Sequence, residues 1–558
     1  MDNYSIADQF SLLSKVMDIH GENSFKSKSY SIAAYTIEQL PVQLTDMPRE
    51  KIFSVKGIGD STGKKVVEIL DTGKITVLEE LLAKTPAGIL EMLHIKGIGP
   101  KKIAVIWKEM EIESLGELLY ACQENRLMLF KGFGEKTQQN VADAIEFYMK
   151  NQGHFLYAEF SSYAEQVTAQ LQKAFPGCKT EITGAFRRQL PVIEKPEWIT
   201  TIAAESLKDL LEKNGYETIA CSPGNSQFRS PENIQVHFRH CLAEEFFPLL
   251  IETSSGPEFL DAWQKRNEGK KADTSNEEKI FESLNCCYIP AYRRENAEIF
   301  LSIEKGPLTD PIQPSDVRAV IHSHSTWSDG SNSLEEMARA CIDKGFEYLV
   351  ISDHSKTAFY AKGLSEERVR EQHLQVEELN SRLKPFRIFK SIESDILNDG
   401  ALDYSDSVLS TFDLVIASIH SNLKMTREKA MMRLMRAIEN PYTTILGHMT
   451  GRLLLSRNGY PVDHEEIINA CVKNKVVIEL NAHPRRLDID WSWINKALEK
   501  GAMISIDPDA HHIDGYNDIR YGVLAAQKTL LTPKQNLSSF SLTEFENYLV
   551  ETRKAKGI

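Results

Sequence analysis

Seven short apolar runs alternate with amphipathic stretches through the last part of the chain, and six of the seven end in a histidine or a carboxylate. The runs are Ala319–Ile321, Tyr348–Ser352, Arg387–Ile392, Leu414–Ile419, Thr443–Leu446, Val476–Leu480 and Met503–Ile506. Strand–helix alternation sustained over about 240 residues predicts a parallel barrel. The first run is followed by His322, His324 and, a few residues on, Asp329. The second ends at Asp353-His354, the third at Glu393-Ser394-Asp395, the fourth at His420, the fifth at His448 and the seventh at Asp507-Pro508-Asp509-Ala510-His511. Active sites of such barrels are built at the carboxyl ends of the strands. Taken singly, each residue reads as a capping or surface group. Gathered on one rim, they read as a site.

The pair His322 and His324 shows the local logic. In an extended chain alternate residues point the same way, so both imidazoles face one place. Histidine and carboxylate together suit zinc, manganese or iron.

The amino-terminal part carries a different signal, repeated three times. It reads Val55-Lys56-Gly57-Ile58-Gly59, Ile95-Lys96-Gly97-Ile98-Gly99 and Phe130-Lys131-Gly132-Phe133-Gly134, each followed by a helical pattern. Glycines permit a tight turn that exposes backbone N–H groups, and a helix N-terminus adds positive potential. Nothing in the motif reads a base edge, so the expected contact is with the phosphate backbone of DNA, independent of sequence. One copy reads as a glycine turn before a helix; three copies with the same lysine read as a nucleic-acid grip. Residues 51–110 hold ten Lys against seven Asp or Glu, a locally basic stretch in a chain of net charge −14. That net charge excludes a bulk nucleic-acid coat and leaves local patches.

With 558 residues the chain is long enough for three or four domains and needs no disulfide staples. Its eight cysteines include no CxxC pair and read as reduced thiols. No basic-then-apolar leader and no long apolar run is present, so a cytoplasmic protein without membrane contact is expected. A proline-rich stretch, Gly306-Pro307 to Pro314, reads as a linker ahead of the barrel.

The three turns resemble the helix-hairpin-helix element of DNA repair proteins, and their placement is similar to the lyase-like and fingers regions of family X DNA polymerases. The resemblance implies a Schiff-base lysine after the first hairpin, and the matching position is Lys65. In the middle, Gly184-Ala185-Phe186-Arg187-Arg188 resembles the palm turn that contacts nucleotide phosphates in that family, and Phe281–Asn285 with Tyr288-Ile289-Pro290 resembles the end of its thumb. The resemblance implies an α+β nucleotidyltransferase-like middle domain with three aspartates that hold magnesium. Here the matching positions are Lys195, Glu197 and His237, with Pro196 between the first two. Protonated lysine is no ligand for magnesium and histidine is a poor one, so the polymerase site is expected to be degenerate.

The last part resembles the PHP (polymerase and histidinol phosphatase) domain, a distorted (β/α)7 barrel. His-x-His, Ser-Asp-Gly, Asp-His, Glu-x-Asp-Ile-Leu-x-Asp-Gly, Ser-Ile-His-Ser, Gly-His-Met-Thr-Gly-Arg and Asp-Ala-His appear in order. The resemblance implies three divalent ions, Mn2+ or Zn2+ or else iron: one held by His322, His324, Glu393 and Asp509, a second bridged by Glu393 to His420 and His448, a third held by Asp329, His354 and His511. His483, in Asn481-Ala482-His483-Pro484, departs from the family's usual Asn-Ala-Asn-Pro and is either a further ligand or a rim group. Arg452, and then Arg485 or Arg486, are the candidates to grip phosphate. The expected order is a helical lyase-like domain at 1–85, a fingers-like domain at 86–150, a palm and thumb at 151–305, a linker at 306–317 and the PHP domain from 318. The whole resembles the bacterial PolX arrangement. It implies a DNA-repair phosphoesterase with 3′–5′ exonuclease, abasic-site or 3′-end processing activity. Three other readings stay open: a working gap-filling polymerase, a small-molecule phosphatase of the histidinol phosphate type, and a DNA-binding scaffold without catalysis.

Overall fold

A computed structural model of the chain describes residues 3–38, 40, 42–150 and 153–558. The chain divides into two compact units, one of residues 1–123 and 127–148, the other of 124–126 and 149–558. The expected boundary after residue 150 falls beside Asn151 and Gln152, which lie outside the described residues.

The first unit is helical. Helices α1 (Asn3–His20) and α2 (Ser24–Glu38) pack through the apolar positions that recur at helical spacing. Ile6, Phe10, Leu13 and Val16 are buried against Tyr30, Ala33 and Ile37, with the Phe10 and Tyr30 rings 5.9 Å apart. The three repeated motifs then fold alike. Gly57, Gly97 and Gly132 have φ of +95°, +96° and +93°, the left-handed region that glycine enters without strain. A Cβ on Gly57 would also meet the Thr36 hydroxyl at 2.7 Å. Two residues later Gly59, Gly99 and Gly134 precede helices α3 (Asp60–Thr72), α4 (Pro100–Lys108) and α5 (Glu135–Lys150). Between each pair of glycines the apolar residue, Ile58, Ile98 or Phe133, is buried and anchors the turn.

The second unit joins the middle of the chain to the barrel. Its five-stranded sheet comprises β1 (Thr180–Ile182), β2 (Glu197–Thr200), β3 (Glu217–Cys221), β4 (Asn225–Arg229) and β5 (Gln235–His240), in the order β1-β2-β5-β4-β3. Only β2 and β5 run parallel. Trp198, Phe228, Val236 and Phe238 bury one face against Phe160, Val167 and Leu171 of the helix Tyr157–Ala174.

The barrel strands are β6 (Ala319–Val320), β7 (Tyr348–Ile351), β8 (Arg387–Asp395), β9 (Leu414–Ser418), β10 (Thr443–Leu446), β11 (Val477–Asn481) and β12 (Ile504–Asp507), all parallel and in chain order. All seven expected strands form. Alternate residues face in and out. Ala319, Ile321, Tyr348, Val350, Phe389, Ile416 and Val477 share an interior cluster, closed by Leu537, Phe545 and Leu549 from the carboxy-terminal segment. Val320, Leu349, Ile351, Ile388 and Val415 pack outward against the helices. Strand β8 runs three residues past its expected end, so Glu393 and Asp395 stand on the strand itself.

The first and last strands do not pair along their length. They meet just beyond their carboxyl ends, where Ser323 bridges Ala510. There the His324 N–H donates to the Ala510 carbonyl at 2.8 Å and the Ala510 N–H to the His322 carbonyl at 3.3 Å.

The stretch expected as a linker is packed. Ile312 is fully buried and its carbonyl accepts from Gln527 Nε2 at 3.0 Å, while the Thr309 carbonyl accepts from Arg293 Nη1 at 2.9 Å. Buried ion pairs bind the same two parts. Lys528 donates to Glu295 Oε1 at 3.0 Å and to the Arg188 carbonyl at 2.6 Å, and Arg485 to Glu159 Oε1 at 2.8 Å.

Candidate metal centre and nucleic-acid interface

The strand ends gather all nine expected ligand residues, Glu393 among them, into one cluster. That carboxylate sits 2.9 Å from His448 Nε2, 3.0 Å from His420 Nε2, 3.0 Å from His354 Nδ1 and 3.3 Å from His322 Nε2. Asp509 Oδ1 lies 3.1 Å from His324 Nε2 and 3.4 Å from His322 Nε2. On the other side Asp329 lies 3.5 Å from both His354 Nε2 and His511 Nε2. Among the described residues, three groups hold ligand atoms close enough together for an ion: His324, Asp329, His354 and His511; His322, His324 and Asp509; His354, Glu393 and His420. His354 therefore spans two groups, between Asp329 and Glu393, where the sequence suggested one.

Burial at this density would be costly for polar groups left to themselves. Yet His322 Nε2, His324 Nδ1, both ring nitrogens of His354, His448 Nδ1, His511 Nε2, Asp329 Oδ2 and Glu393 Oε2 are buried without a hydrogen bond. Apart from His448 Nδ1, whose ring meets Glu393 through Nε2, they lie among the Glu393, Asp509 and Asp329 carboxylates, and the donor set is that of a divalent transition ion. The residues fit a metal centre.

The charges agree. Burial alone would raise the Glu393 carboxyl, but His420, His322 and His354 hold it well below the usual carboxylate range. Burial also opposes ionisation of Asp329, and His354 and His511 again win. The carboxylates are thus ready to bind a cation. Burial and the neighbouring His511 and His354 push His324 down to about 3. Burial works against His322, but Asp509, Glu479 and Glu393 raise it well above its ordinary value.

Three of the ligand residues have backbones that L-amino acids seldom adopt: His322 at φ +60°, Asp509 at +52° and His448 at +20°. Strain of this kind, of order 1–3 kcal/mol each, persists where the surroundings fix it.

Sequence reasoning placed Asp353 and Asp395 on the rim without a role and missed Glu479. Asp353 accepts from the Ser325 N–H and hydroxyl, each at 2.8 Å, from the Ser328 hydroxyl at 2.6 Å and from Gln372 Nε2 at 2.7 Å, and so shapes the loop after His324. Asp395 hydrogen-bonds His420 Nδ1, and Glu479 hydrogen-bonds His322 Nδ1. For Glu479 the sequence does hold a signal, a lone charge inside the apolar run Val476-Val477-Ile478-Glu479-Leu480.

The arginines need correction. Arg452 is turned into the protein: Nε donates to the Arg486 carbonyl at 2.9 Å, Nη2 to the Leu487 carbonyl and Nη1 to Asp490 at 2.6 Å. It shapes the loop that carries Arg486 rather than facing the centre. Arg485 is taken by Glu159. Arg486 lies at the centre, with Nε 3.5 Å from Asp509 Oδ2. His483 belongs to none of the three groups. Its Nδ1 accepts from the Arg485 N–H at 3.2 Å, and burial pushes it down to about 3.

In the middle domain the three altered positions stand side by side. Glu197 and His237 are opposite one another in the parallel pair β2 and β5, and Lys195 Nζ lies 3.0 Å from Glu197 Oε2. Burial and the Lys195 charge lower His237, whose Nδ1 bonds Gln227 Nε2 at 2.8 Å. Gly184, at φ +64°, lies so close to Glu197 that a Cβ would meet its Oε1 at 2.3 Å. Arg187 of the same turn is bound by Glu277, which also takes Arg294 at 2.9 Å, and Arg188 is bound by Glu295 at 3.1 Å.

In the first unit Lys56, Lys96 and Lys131 are exposed beside their glycine turns. Lys65 is not: its side chain is 16% exposed, with Nζ 3.9 Å from Glu68 Oε2.

A barrel with this ligand rim, preceded by hairpin turns before helix N-termini, defines a class of protein that joins DNA-gripping modules to a PHP-type metal centre. Family models agree: a helix-hairpin-helix domain matches residues 1–75, a SAM-like helix-hairpin-helix tandem 89–146, and the PHP domain 321–483. The chain is 33% identical over 555 residues to the DNA polymerase/3′-5′ exonuclease PolX of Bacillus subtilis, covering 96% of each. A probable phosphatase of Caldanaerobacter subterraneus is 25% identical over 255 residues, 42% of this chain and 92% of the relative. The probable phosphatase YcdX of Escherichia coli is 27% identical over 209 residues, 34% of this chain and 77% of the relative. The chain belongs to the PolX-type family X DNA polymerases with a carboxy-terminal PHP domain. Its helix-hairpin-helix domains and this kinship support DNA binding, and no helix among the described residues is long and apolar enough to cross a membrane.

Proposed function

We propose that the chain is a DNA-repair nuclease whose PHP domain hydrolyses phosphodiesters from the 3′ end and whose polymerase activity is lost. The observation that carries this is the set of buried, unbonded ligand atoms around Glu393 on the barrel rim. Three divalent ions, Mn2+ or Zn2+, suit the nine residues His322, His324, Asp329, His354, Glu393, His420, His448, Asp509 and His511. Bound there, such ions supply Lewis acidity, an acidified water and charge neutralisation for phosphodiester hydrolysis. The chain's own residues do the rest. Glu393 and Asp509 are ionised before any ion arrives. Arg486, beside Asp509, is placed to hold a phosphoryl oxygen. No serine, cysteine or lysine nucleophile is needed.

The three hairpin turns offer exposed lysines and backbone N–H groups to DNA phosphates, so the grip is blind to sequence. The palm has lost its metal chemistry. Where the family holds magnesium this chain has a Lys195–Glu197 ion pair beside His237, and the turn that would cradle a triphosphate is covered by the Glu197 carboxylate while its arginines are spent on Glu277 and Glu295. The carboxylate adds a negative charge where phosphates would sit. Abasic-site and 3′-end processing belong to the same hydrolytic centre; a lyase role for Lys65 gains no support from its pairing with Glu68.

The test is a 5′-labelled primer on a longer template, incubated with Mn2+ and all four deoxynucleotides. Shortening is expected. Lengthening would overturn the loss of polymerase activity, and an unchanged primer would overturn the exonuclease assignment.

A further inference from the structure

Glu479 stands behind the centre rather than in it. It is fully buried on β11, and both its oxygens are used as acceptors. Oε1 shares a hydrogen bond with His322 Nδ1. Oε2 accepts from the His448 backbone N–H at 2.6 Å and from Asn481 Nδ2 at 3.2 Å. Asn481 Nδ2 also donates to Asp509 Oδ2 at 3.1 Å. One carboxylate therefore touches two of the ligand residues directly and a third through an amide. Two of them, His322 and His448, are among those with left-handed backbones.

We propose that Glu479 is a positioning residue that fixes which nitrogen of His322 is bare and pins the backbone of His448, and thereby sets the ion affinity of the centre. The inference rests on the proposal that His322 is a metal ligand. With Glu479 ionised the carboxylate can only accept, so Nδ1 carries a proton, and in the neutral ring that a metal ion requires Nε2 is left bare. Nε2, which faces Glu393 and Asp509 at 3.3 and 3.4 Å and has no hydrogen bond, is then the nitrogen free to bind an ion. At the same time the His448 N–H, held by Oε2, keeps that residue turned so that its Nε2 meets Glu393 at 2.9 Å. Orienting partners of this kind are worth ten- to a hundredfold in metal affinity.

Charge and size make opposite demands here, and that gives the test. A glutamine at 479 has the same length but one acceptor oxygen. The His448 backbone N–H cannot give up its proton, so the amide oxygen must face it. The amide NH2 then points at His322 Nδ1 and forces the proton onto Nε2. An aspartate is shorter but keeps two acceptors. A residue that merely fills space tolerates glutamine better than aspartate; a residue that sets the tautomer tolerates aspartate better.

The experiment is Mn2+ titration of the full-length, metal-stripped protein, read by the loss of the free-ion electron paramagnetic resonance signal, for wild type, Glu479→Asp, Glu479→Gln and His322→Ala. Melting of each metal-free protein is recorded alongside. The expected order of affinity is wild type, then aspartate, then glutamine, with glutamine at least tenfold below wild type and the metal-free glutamine variant melting within a few degrees of it. Glutamine binding Mn2+ as well as aspartate or better overturns the proposal. If the glutamine variant does not fold, Glu479→Asn against Glu479→Asp makes the same comparison at equal length. Wild type that fails to bind Mn2+, or binding that His322→Ala leaves unchanged, defeats the metal-ligand reading instead; binding that His322→Ala abolishes and Glu479→Gln leaves intact defeats only the role of Glu479.

Discussion

Glu197 lies against Gly184 so closely that its Oε1 is 2.3 Å from where a Cβ on the glycine would stand, and Lys195 holds the same carboxylate at 3.0 Å. On the proposed reading, a carboxylate over the phosphate turn repels a triphosphate, and Glu197, paired with Lys195, is the one carboxylate left at the three positions where the family holds magnesium. With Mg2+ and all four deoxynucleotides the purified protein should add no nucleotide to a gapped primer. Equilibrium dialysis with a labelled deoxynucleotide should find no saturable site below about 1 mM, an affinity of only ~4 kcal/mol.

Grip and hydrolysis should separate. His322→Ala is expected to lower hydrolysis more than about a hundredfold, since it removes a proposed ligand of the centre. Its affinity for primer–template DNA, read by fluorescence anisotropy, should stay within about twofold of wild type. Lys131→Ala should do the reverse, weakening DNA binding and lowering the slope of log affinity against log salt by roughly one.

The two arginines of the rim should divide by phenotype. Arg486→Gln leaves the fold and the ion content in place but removes the cation beside Asp509, so turnover should fall at least about tenfold. Arg452→Gln loses bonds to two carbonyls and to Asp490, at about 1 kcal/mol net apiece. It should lower the melting temperature by several degrees and the activity only indirectly. Equal losses of turnover without a melting shift would reverse the roles.

Removing ions should loosen the barrel. Ions that bind the folded chain alone stabilise it by mass action, ~2.7 kcal/mol for one site at a hundred times its dissociation constant. Differential scanning calorimetry before and after dialysis against a chelator should show the higher-temperature state lost and then restored by Mn2+. Unchanged melting would mean that the cluster holds no ion tightly.

Away from the centre, one histidine should govern part of the acid response. His373 is packed edge-on to Phe412 at 4.9 Å, and burial, with the Lys390 charge, pushes it down to about 4. The unfolded chain, with an ordinary value near 6.5, binds this proton first. Stability from His373 is therefore complete above pH ~6.5 and is lost as pH falls toward 4. His373→Leu should flatten the melting temperature across that window; an unaltered slope would show that other groups dominate.

The barrel was legible because its signals are local. Each strand is an apolar run and each ligand stands just past the end of one, so sequence order alone placed His322, His354, Glu393, His420, His448 and Asp509 on one rim. The hairpin turns were legible for the same reason: Gly57, Gly97 and Gly132 take the left-handed backbone that the turn of their motif requires. What stayed hidden was contact between distant residues. Arg452 sits in a rim motif, yet its guanidinium is spent on carbonyls more than thirty residues away. Glu479 touches His322 across 157 positions, and no spacing rule announces such a pair. The extent of β8, which puts Asp395 behind His420, also depended on pairing with β9 that propensity does not encode.

The packed junction between the middle domain and the barrel bears on how such a chain can evolve. Lys528 is wholly enclosed, and its acceptors, Glu295 and the carbonyls of Arg188 and Tyr292, all come from the other side of the junction. A gene that discarded the middle domain would take away all three of these acceptors and bare to water the barrel face that they cover. Loss of catalysis in the palm, as proposed, would therefore give no licence for loss of the domain itself: the barrel inherits its neighbour as a wall.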